Sequence, residues 1–311
     1  MNEALFWAIF SMSGVGASSQ MPALPSVSEV LVVDRVPMLR ENMVRPVLEN
    51  GDKLAVLVVD KNSGKVLYER NKRRVQYIAS ISKIATVGAA LQENNPNEIV
   101  TIRDEATRIG WAGIDLMQEE QITLKTLVEA ALIPSANDAA TAIAQHVSGS
   151  TANHAEKMTH WAEELGLENT TFLSVTGLDI QKEKPANADE NYDPDHDKNW
   201  TGNKSTAVEV AAMARILLRD EWLRDIVDDQ VFRGASVDGV IQHEKWTTNK
   251  LLGGSFGVAG VKTGYTELAG QCVVTSATSP QGQEVLVVVL GAEDRFDVTR
   301  KVLSWVYDSY W

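Results

Sequence analysis

The order of the apolar segments along this chain restricts its fold more than any other feature of the sequence. Two strand-like segments, "KLAVLVVD" (53–60) and "KVLYER" (65–70), flank "KNSG", which predicts a β-hairpin with a glycine-containing turn. Towards the other end, three more apolar segments are separated by turn residues, at 256–264, 269–277 and 284–292. We therefore predict one antiparallel sheet of about five strands, in which the first hairpin joins the last three strands.

Helices are predicted between and after these strands. Residues 80–92 are apolar around most of the helix circumference, which predicts a central, buried helix. Residues 124–133 have apolar side chains at i, i+3, i+4, i+7 and i+8, the spacing of an amphipathic helix, and Pro134 ends it. Further helices are predicted at about 135–147, 152–165, 205–219 and 296–308. Helices combined with one antiparallel sheet make an α+β fold.

The charge and the metal-binding residue types argue against several classes of partner. The chain of 311 residues has 42 acidic and 29 basic side chains, a net charge of −13, which argues against nucleic acid and anionic membranes as partners. Its single cysteine, Cys272, lies in a strand-like segment and is interpreted as a buried small hydrophobe. The five histidines have no metal-ligand spacing and are interpreted as structural or solvated. We expect no metal and no cofactor.

The first residues have the pattern of an export signal. Residues 4–17 form an apolar run too short to span a bilayer as a helix, and small residues at 15 and 17 suit cleavage after Ala17. A signal peptide at 1–17 would place the protein in the periplasm or outside the cell, associated with the cell wall. The alternative is an apolar, frayed N-terminus of a cytosolic protein. Residues 18–45 are rich in serine, proline and polar residues and are interpreted as a linker. No later segment could span a membrane, so we expect no C-terminal membrane anchor.

The sequence Ser80-Ile81-Ser82-Lys83 places a lysine at the start of the predicted buried helix. Side chains at i and i+3 share a helix face, so the lysine amine can lie beside the Ser80 hydroxyl. Serine becomes a good nucleophile when a base takes its proton, and lysine can be that base if burial and a neighbouring cation lower its pKa. The alternative is structural: Ser80 caps the helix and Lys83 extends its amine to solvent.

Two further motifs contain polar groups suited to a reaction site. Ser135-Ala136-Asn137 follows Pro134 between two predicted helices, where a hydroxyl and an amide could relay a proton and hold a substrate amide. Its structural alternative is a capping box, Ser135-x-x-Asp138. Lys262-Thr263-Gly264 ends a predicted edge strand with its lysine towards the site. There Thr263 could bind a carboxylate, and Gly264 could allow a ligand backbone to approach closely; the alternative is an ordinary strand end with a turn glycine.

Each motif is weak alone, but S-x-x-K, S-x-N and K-T-G in this order are typical of serine enzymes that react with penicillin. The chain resembles the low-molecular-weight penicillin-binding proteins, the S11-type serine D-alanyl-D-alanine carboxypeptidases. The resemblance covers about residues 50–308 and lies in "ASISKIAT", "LIPSANDAA", "STAVEVAAMARILL", "TTNKLL" and "GVKTGYTELAGQCVV". It implies a β-lactamase/transpeptidase-like fold, with helices flanking the sheet, an all-helical lobe and a catalytic domain at 46–311.

The resemblance also implies a role for each motif residue. Ser80 would be the acylated nucleophile and Lys83 its general base, while Ser135 and Asn137 would relay protons and hold the substrate. The other implied roles are positive charge from Lys262, carboxylate binding by Thr263 and Arg295, close approach at Gly264, and an oxyanion hole of the Ser80 and Tyr265 backbone N–H groups. The implied substrates are peptidoglycan stem peptides ending in D-Ala-D-Ala, and β-lactam antibiotics would be covalent inhibitors.

The chain departs from the family pattern in two places. An acidic segment at 184–203 is longer than usual; Asp193, Asp195 and Asp197 echo a calcium loop, but the required glycine and final glutamate are missing, which favours a solvated loop. We expect neither the C-terminal β domain nor the anchoring helix of many members, as in the shorter DD-endopeptidases, so cutting of cross-links is the main alternative activity.

Two further alternatives remain. A β-lactamase would need a glutamate for deacylation, and the glutamates of "EELGLENTTF" (163–172) lie where a helix end is predicted to run into a strand, which does not suit that role. A non-catalytic peptidoglycan-binding protein would not need Ser80, Lys83 and the other motif residues intact.

Overall fold

The computed structural model describes residues 37–48, 51, 53–182 and 199–311. Its centre is a five-stranded antiparallel sheet in the order β11-β12-β13-β1-β2, so the first hairpin does join the last three strands. These strands are β1 (Ala55–Asp60), β2 (Val66–Arg70), β11 (Val258–Thr266), β12 (Gly270–Thr278) and β13 (Glu284–Ala292). The α+β class and the sheet predicted from the sequence are confirmed. The predicted signal peptide and Asp193, Asp195 and Asp197 lie outside the described residues.

Both faces of the sheet are buried, which explains why its strands are almost continuously apolar. In β1, Leu57 and Val59 face a core shared with the helices, while Val56 and Val58 face a second core under the last helix. Side chains alternate along a strand, so a strand covered on both faces needs apolar residues at every position.

Eight helices surround the sheet in the described part of the chain. The helix α1 (Lys83–Leu91) is buried at all nine positions, as its apolar circumference predicts. The others are α2 (Asp104–Thr107), α3 (Leu124–Leu132), α4 (Asn137–Ser148), α5 (Thr151–Glu164), α6 (Ala207–Leu217), α7 (Glu221–Ile226) and α8 (Arg295–Tyr310). The helices α1 and α3–α5 pack on one another and form the helical lobe. Among the described residues, no helix has the length and apolar character needed to cross a bilayer.

The short strands outside the main sheet were not predicted. They form four pairs: β3 (Gln76–Tyr77) with β8 (Lys204–Ser205), β4 (Ile99–Thr101) with β5 (Gln121–Thr123), β6 (Ile180–Gln181) with β7 (Trp200–Thr201), and β9 (Val231–Ala235) with β10 (Gln242–Trp246). The β10 sequence "QHEKW" has little apolar character, so it has no strand signal of its own. Its pairing with β9, which packs on α3, determines its conformation.

Three predicted boundaries differ from the structure. The segment Ala79–Ser82 is a 3₁₀ turn, and the α-helix predicted from Ser80 begins at Lys83. The helix predicted from Ser135 begins at Asn137, because Ser135 has a φ of 67° and cannot belong to a right-handed helix. The strand predicted to end at Gly264 continues to Thr266.

The described end of the predicted linker lies on the surface of the folded domain. The Arg40 N–H donates to the Ser309 carbonyl at 2.8 Å, at the end of α8. The Arg45 guanidinium lies over the ring of Tyr68, 5.6 Å from its centroid. Residues 37–45 are therefore part of the packed surface next to the C-terminal helix.

Candidate active site

Ser80 and Lys83 meet because of the 3₁₀ turn that precedes α1. Lys83 Nζ donates a hydrogen bond of 2.9 Å to Ser80 Oγ. A 3₁₀ helix has three residues per turn, so side chains at i and i+3 are eclipsed and lie closer than in an α-helix. The shared face expected from the spacing is present, and the tighter turn makes the contact direct.

The amine of Lys83 is completely enclosed by hydrogen-bond acceptors. In addition to Ser80 it donates to Asn137 Oδ1 at 2.8 Å and to the Thr176 carbonyl at 2.7 Å. Three acceptors match the three N–H bonds of an ammonium group. The alternative in which Lys83 extends to solvent is wrong, because its exposure is zero.

Burial lowers the pKa of Lys83 to about 7, and the carboxylate of Asp138 opposes this by raising it. At that pKa about half of the amines are neutral at pH 7, and a neutral amine can take a proton from a hydroxyl. The lowering by neighbouring cations that was expected for Lys83 is found instead at Lys262. Burial first, and then the charges of Lys83 and Arg295, lower the pKa of Lys262 well below its usual range.

Asn137 reaches the site from the N-terminus of α4. Its backbone N–H donates to the Ala112 carbonyl at 2.7 Å, and its Nδ2 donates to the Gly110 carbonyl at 3.3 Å. These bonds direct Oδ1 towards Lys83. Ser135 lies in the preceding turn and is almost fully buried, at 6% exposure.

The capping box considered for this turn does not form. The N-cap residue of α4 is Ala136, and no side chain caps the helix. The Asp138 carboxylate instead accepts the backbone N–H groups of Ile114, at 2.9 Å, and Leu116, at 3.3 Å. Asp138 therefore holds the loop that precedes β5 against the start of α4.

The strand β11 lies at the edge of the sheet, as predicted, and forms the opposite wall of the site. The amine of Lys262 is buried and donates to the Thr263 carbonyl at 2.9 Å. The hydroxyls of Thr263 and Thr248 are 2.5 Å apart. Tyr265 follows on the same strand with a half-exposed side chain, whose hydroxyl donates to Glu267 at 2.6 Å.

Two glycines fit directly against the backbone at Ala79 and Ser80. A Cβ atom at Gly264 would lie 2.9 Å from Ser80 N, and one at Gly177 would lie 2.1 Å from the Ala79 carbonyl oxygen. Both distances are too short for real atoms. The close approach at Gly264, assigned to a ligand from the sequence, is made in this structure by the chain itself.

Arg295, the first residue of α8, lies behind the edge strand. Its Nη1 donates to the Gly264 carbonyl at 2.8 Å, and its Nε is buried with no hydrogen-bond partner among the described residues. Burial lowers the pKa of Arg295. The structure thus brings Arg295 next to the Lys262-Thr263-Gly264 motif from a position about 30 residues later in the chain.

Sequence reasoning missed three groups of the site. They are the Thr176 carbonyl, the Thr248 hydroxyl and the Asp138 carboxylate. The Thr176 carbonyl is a backbone group that every residue has, so the residue type does not reveal its role. The local signal was Gly177, which follows it and permits a close approach. Thr248 lies in "TTNKLL", a stretch used for the resemblance without a role for its hydroxyl.

The cysteine and the described histidines lie outside this constellation. Cys272 is buried, and burial raises its pKa to about 11. His154 contacts the Thr86 carbonyl, and His243 contacts Glu120 and the Ile114 carbonyl, all within 3.0 Å. His146 and His160 lie beside surface glutamates, and His196 is outside the described residues. No group of three or more metal-ligating side chains occurs in the described segments.

Comparison with curated proteins gives relatives that cover most of the chain. D-alanyl-D-alanine carboxypeptidase DacF of Bacillus subtilis (strain 168) is 31% identical over 269 residues, which is 82% of this chain and 62% of that protein. A D-alanyl-D-alanine endopeptidase of Pseudomonas aeruginosa PAO1 is 28% identical over 262 residues, 81% of this chain and 76% of that protein. The chain thus spans about three fifths of the length of the carboxypeptidase.

A solved structure and a family profile also match this chain. Penicillin-binding protein D2 of Listeria monocytogenes, solved in an ampicillin-bound form, is 26% identical with a TM-score of 0.65, over 85% of this chain and all of that one. The profile of the peptidase S11 family, D-alanyl-D-alanine carboxypeptidase, matches residues 47–294. The chain belongs to the peptidase S11 family of D-alanyl-D-alanine carboxypeptidases.

Proposed function

We propose that this protein is a serine-type D-alanyl-D-alanine carboxypeptidase that removes the terminal D-alanine from peptidoglycan stem peptides. The observation that carries the proposal is a buried Lys83 amine, with a pKa of about 7, held 2.9 Å from Ser80 Oγ. A fully buried lysine does not stabilise the fold, because burying its charge is costly. Its lowered pKa suits it to take the proton of a hydroxyl. The curated relative from Bacillus subtilis carries the same activity in its name.

The contacts support a two-step reaction with an acyl-enzyme intermediate. Neutral Lys83 takes the Ser80 proton as Oγ attacks the carbonyl carbon of the penultimate D-alanine. The backbone N–H groups of Ser80 and Tyr265 stabilise the oxyanion, and the amine of the leaving D-alanine receives a proton as the C–N bond breaks. Water then attacks the ester and gives up a proton, which returns to Ser80 Oγ as the shortened peptide leaves. Asn137 and Ser135 hold the substrate amide and relay protons.

The edge-strand wall provides the site for the substrate's terminal carboxylate. Thr263 offers a hydroxyl, and Lys262 and Arg295 lie beside it. In the free enzyme burial lowers the pKa of both side chains, and the charges of Lys83 and Arg295 lower the pKa of Lys262 further. A bound carboxylate favours their charged forms, so Lys262 gains positive charge when the substrate arrives.

The surroundings of Ser80 favour a long-lived acyl-enzyme with β-lactams. The groups bonded to Lys83 are a hydroxyl, an amide and a backbone carbonyl. No carboxylate bonds to Ser80 or Lys83 in the described part of the chain. A β-lactamase of this type uses a glutamate to activate the deacylating water, so β-lactams would act here as covalent inhibitors.

We also propose the cellular context and the domain boundaries predicted from the sequence. Residues 1–17 would be removed during export, and 46–311 would form the catalytic domain. The substrate lies outside the cytoplasm, so the protein would act in the periplasm or outside the cell, associated with the cell wall. Detection of a mature N-terminus at residue 18 in the exported protein would support this, and an intact residue 1 in a cytoplasmic fraction would contradict it.

The test is the intact mass of the protein after incubation with benzylpenicillin, together with D-alanine release from diacyl-Lys-D-Ala-D-Ala. The wild type should carry one drug-sized adduct and release D-alanine, and Ser80→Ala should do neither. The control is Ser63→Ala, which removes a hydroxyl bonded to Asp60 in the first hairpin turn, and it should behave as the wild type. D-alanine release by Ser80→Ala would refute the assignment, and drug hydrolysis without an adduct would favour a β-lactamase.

Hydrolysis of cross-links is a second candidate function. The Pseudomonas aeruginosa endopeptidase is matched over 76% of its length, a larger share than the Bacillus subtilis carboxypeptidase at 62%. Purified cross-linked muropeptide dimers distinguish the two activities, because only an endopeptidase converts them to monomers. Release of D-alanine from pentapeptides with intact dimers would support the carboxypeptidase.

A further inference from the structure

Trp111 lies at the rim of the candidate active site in an unusual state. Its side chain is 92% exposed, the largest exposure among the apolar side chains described, and its φ is 73°. A positive φ in a bulky residue is strained and persists only where its surroundings impose it. An exposed indole on a constrained backbone therefore needs an explanation other than the stability of the free protein.

The surroundings that impose this conformation are the active-site residues themselves. The carbonyls on both sides of Trp111, those of Gly110 and Ala112, accept hydrogen bonds from Asn137 at 3.3 and 2.7 Å. Asn137 Oδ1 is bonded to Lys83, which is bonded to Ser80. Three consecutive hydrogen bonds thus connect the nucleophile to the backbone that carries the indole.

The loop is also anchored beyond Trp111. Asp138 accepts the N–H groups of Ile114 and Leu116, and buried His243 of β10 contacts the Ile114 carbonyl at 2.8 Å. On the surface, Asp115 pairs with Lys245 at 2.9 Å. These bonds connect the loop to both α4 and the β9–β10 hairpin, so Trp111 is presented by a well-supported segment.

Both faces of the indole are open. Its chain neighbours, Gly110 and Ala112, are the two smallest residue types, and apart from the adjoining residues a Cβ atom added at Gly110 would meet no atom within 4 Å. An open aromatic face suits a flat ring that offers C–H groups on its face and hydroxyls at its edge. Sugars have that shape, and the indole carries no charge that would select an ionic group.

We propose that Trp111 is a stacking platform for the sugar that carries the stem peptide, a subsite outside the peptide-cleaving machinery. This inference rests on the proposed function, which supplies the substrate class. An extended peptide advances about 3.3–3.6 Å per residue, so a sugar four residues before the scissile bond lies roughly 13 Å or more from Ser80. Three hydrogen bonds and two intervening side chains separate Ser80 from the backbone at Trp111, so the indole does not lie against the scissile bond.

The test compares a free pentapeptide ending in D-Ala-D-Ala with the same pentapeptide attached to its N-acetylated disaccharide. With the wild type, kcat/KM for D-alanine release should be higher for the sugar-bearing substrate. Trp111→Ala should lower that value about fivefold and leave kcat/KM for the free pentapeptide within twofold. Trp111→Phe should keep kcat/KM for the sugar-bearing substrate near the wild-type value. The matched control is Trp246→Ala, an exposed tryptophan on β10, which should not discriminate between the substrates. An equal effect of Trp111→Ala on both substrates, or on neither, overturns the proposal.

Binding to Ser80→Ala separates this proposal from the proposed function. Calorimetry with this variant should give a lower Kd for the disaccharide pentapeptide than for the free pentapeptide, and the added change Trp111→Ala should remove the difference. Equal Kd values before the added change would overturn the sugar platform even if D-alanine release is normal. A difference that depends on Trp111 would support it even if the wild type releases no D-alanine.

Discussion

Replacing Lys83 by methionine should make the stability of the protein less dependent on pH. Lys83 is fully buried, and its pKa in the folded protein is about 7, against 10.5 as a solvated side chain. Between these two values the unfolded chain binds a proton that the folded protein does not. Stability therefore rises with pH in this window, by up to about 1.4 kcal/mol per pH unit.

The expected magnitude follows from that difference. Between pH 7 and pH 9 the folded amine goes from about half charged to almost neutral, so Lys83 adds about 2 kcal/mol to the free energy of unfolding. Lys83→Met lacks this contribution, and the wild type should gain about 2 kcal/mol relative to the variant. The charge of Lys83 also lowers the pKa of Lys262. In Lys83→Met that charge is gone, so Lys262 keeps its proton to a higher pH in the folded variant. The stability of the variant then rises less steeply with pH, which enlarges the expected difference from the wild type.

Urea denaturation at pH 7, 8 and 9 measures this difference. Subtracting the variant from the wild type cancels the groups that titrate in both proteins. Lys301→Met, which removes a lysine from the exposed face of α8, provides the baseline for losing any lysine. A Lys83→Met difference that does not change with pH, or that changes no more than this baseline, would refute the claim that Lys83 is a neutral base near pH 7.

Two further substitutions test the geometry and the electrostatics of the site. Gly177→Ala should slow acylation by benzylpenicillin at least tenfold, because its Cβ atom would displace the Ala79 carbonyl. The control is Gly149→Ala, at a φ of 77° with open space around it. It should cost about 1 kcal/mol of stability and leave the acylation rate within twofold. Asp138→Asn should move the acid limb of the kcat/KM profile to lower pH, because the carboxylate raises the pKa of Lys83; a limb that stays in place or moves upward would contradict that role.

The sequence contained enough information for the sheet and for the contact between Ser80 and Lys83. Strands buried on both faces have a continuous apolar signal, and Ser80 and Lys83 are neighbours in the chain, so their spacing alone implies contact. The joining of the first hairpin to the last three strands followed from where the apolar segments lie. These are local patterns, and the fold preserves them.

The remaining parts of the site depend on tertiary contacts that have no local signature. Lys83 bonds to the Thr176 carbonyl, 93 residues later, and Arg295 bonds to the Gly264 carbonyl, 31 residues earlier. A backbone carbonyl has the same chemistry at every position, so only the folded chain shows which one is used. The left-handed conformation of Ser135 was missed for a similar reason, since serine followed by Asp138 is a good capping sequence in the absence of other contacts.

The glycines that touch the nucleophile determine which mutations this protein can tolerate. Every codon change that replaces Gly177 or Gly264 adds at least one carbon atom, and the space at both positions is already taken by the backbone at Ala79 and Ser80. Variants that survive under selection by a β-lactam should therefore keep both glycines. Their substitutions should accumulate at exposed positions such as Trp246, where side chains can change without moving the reacting atoms.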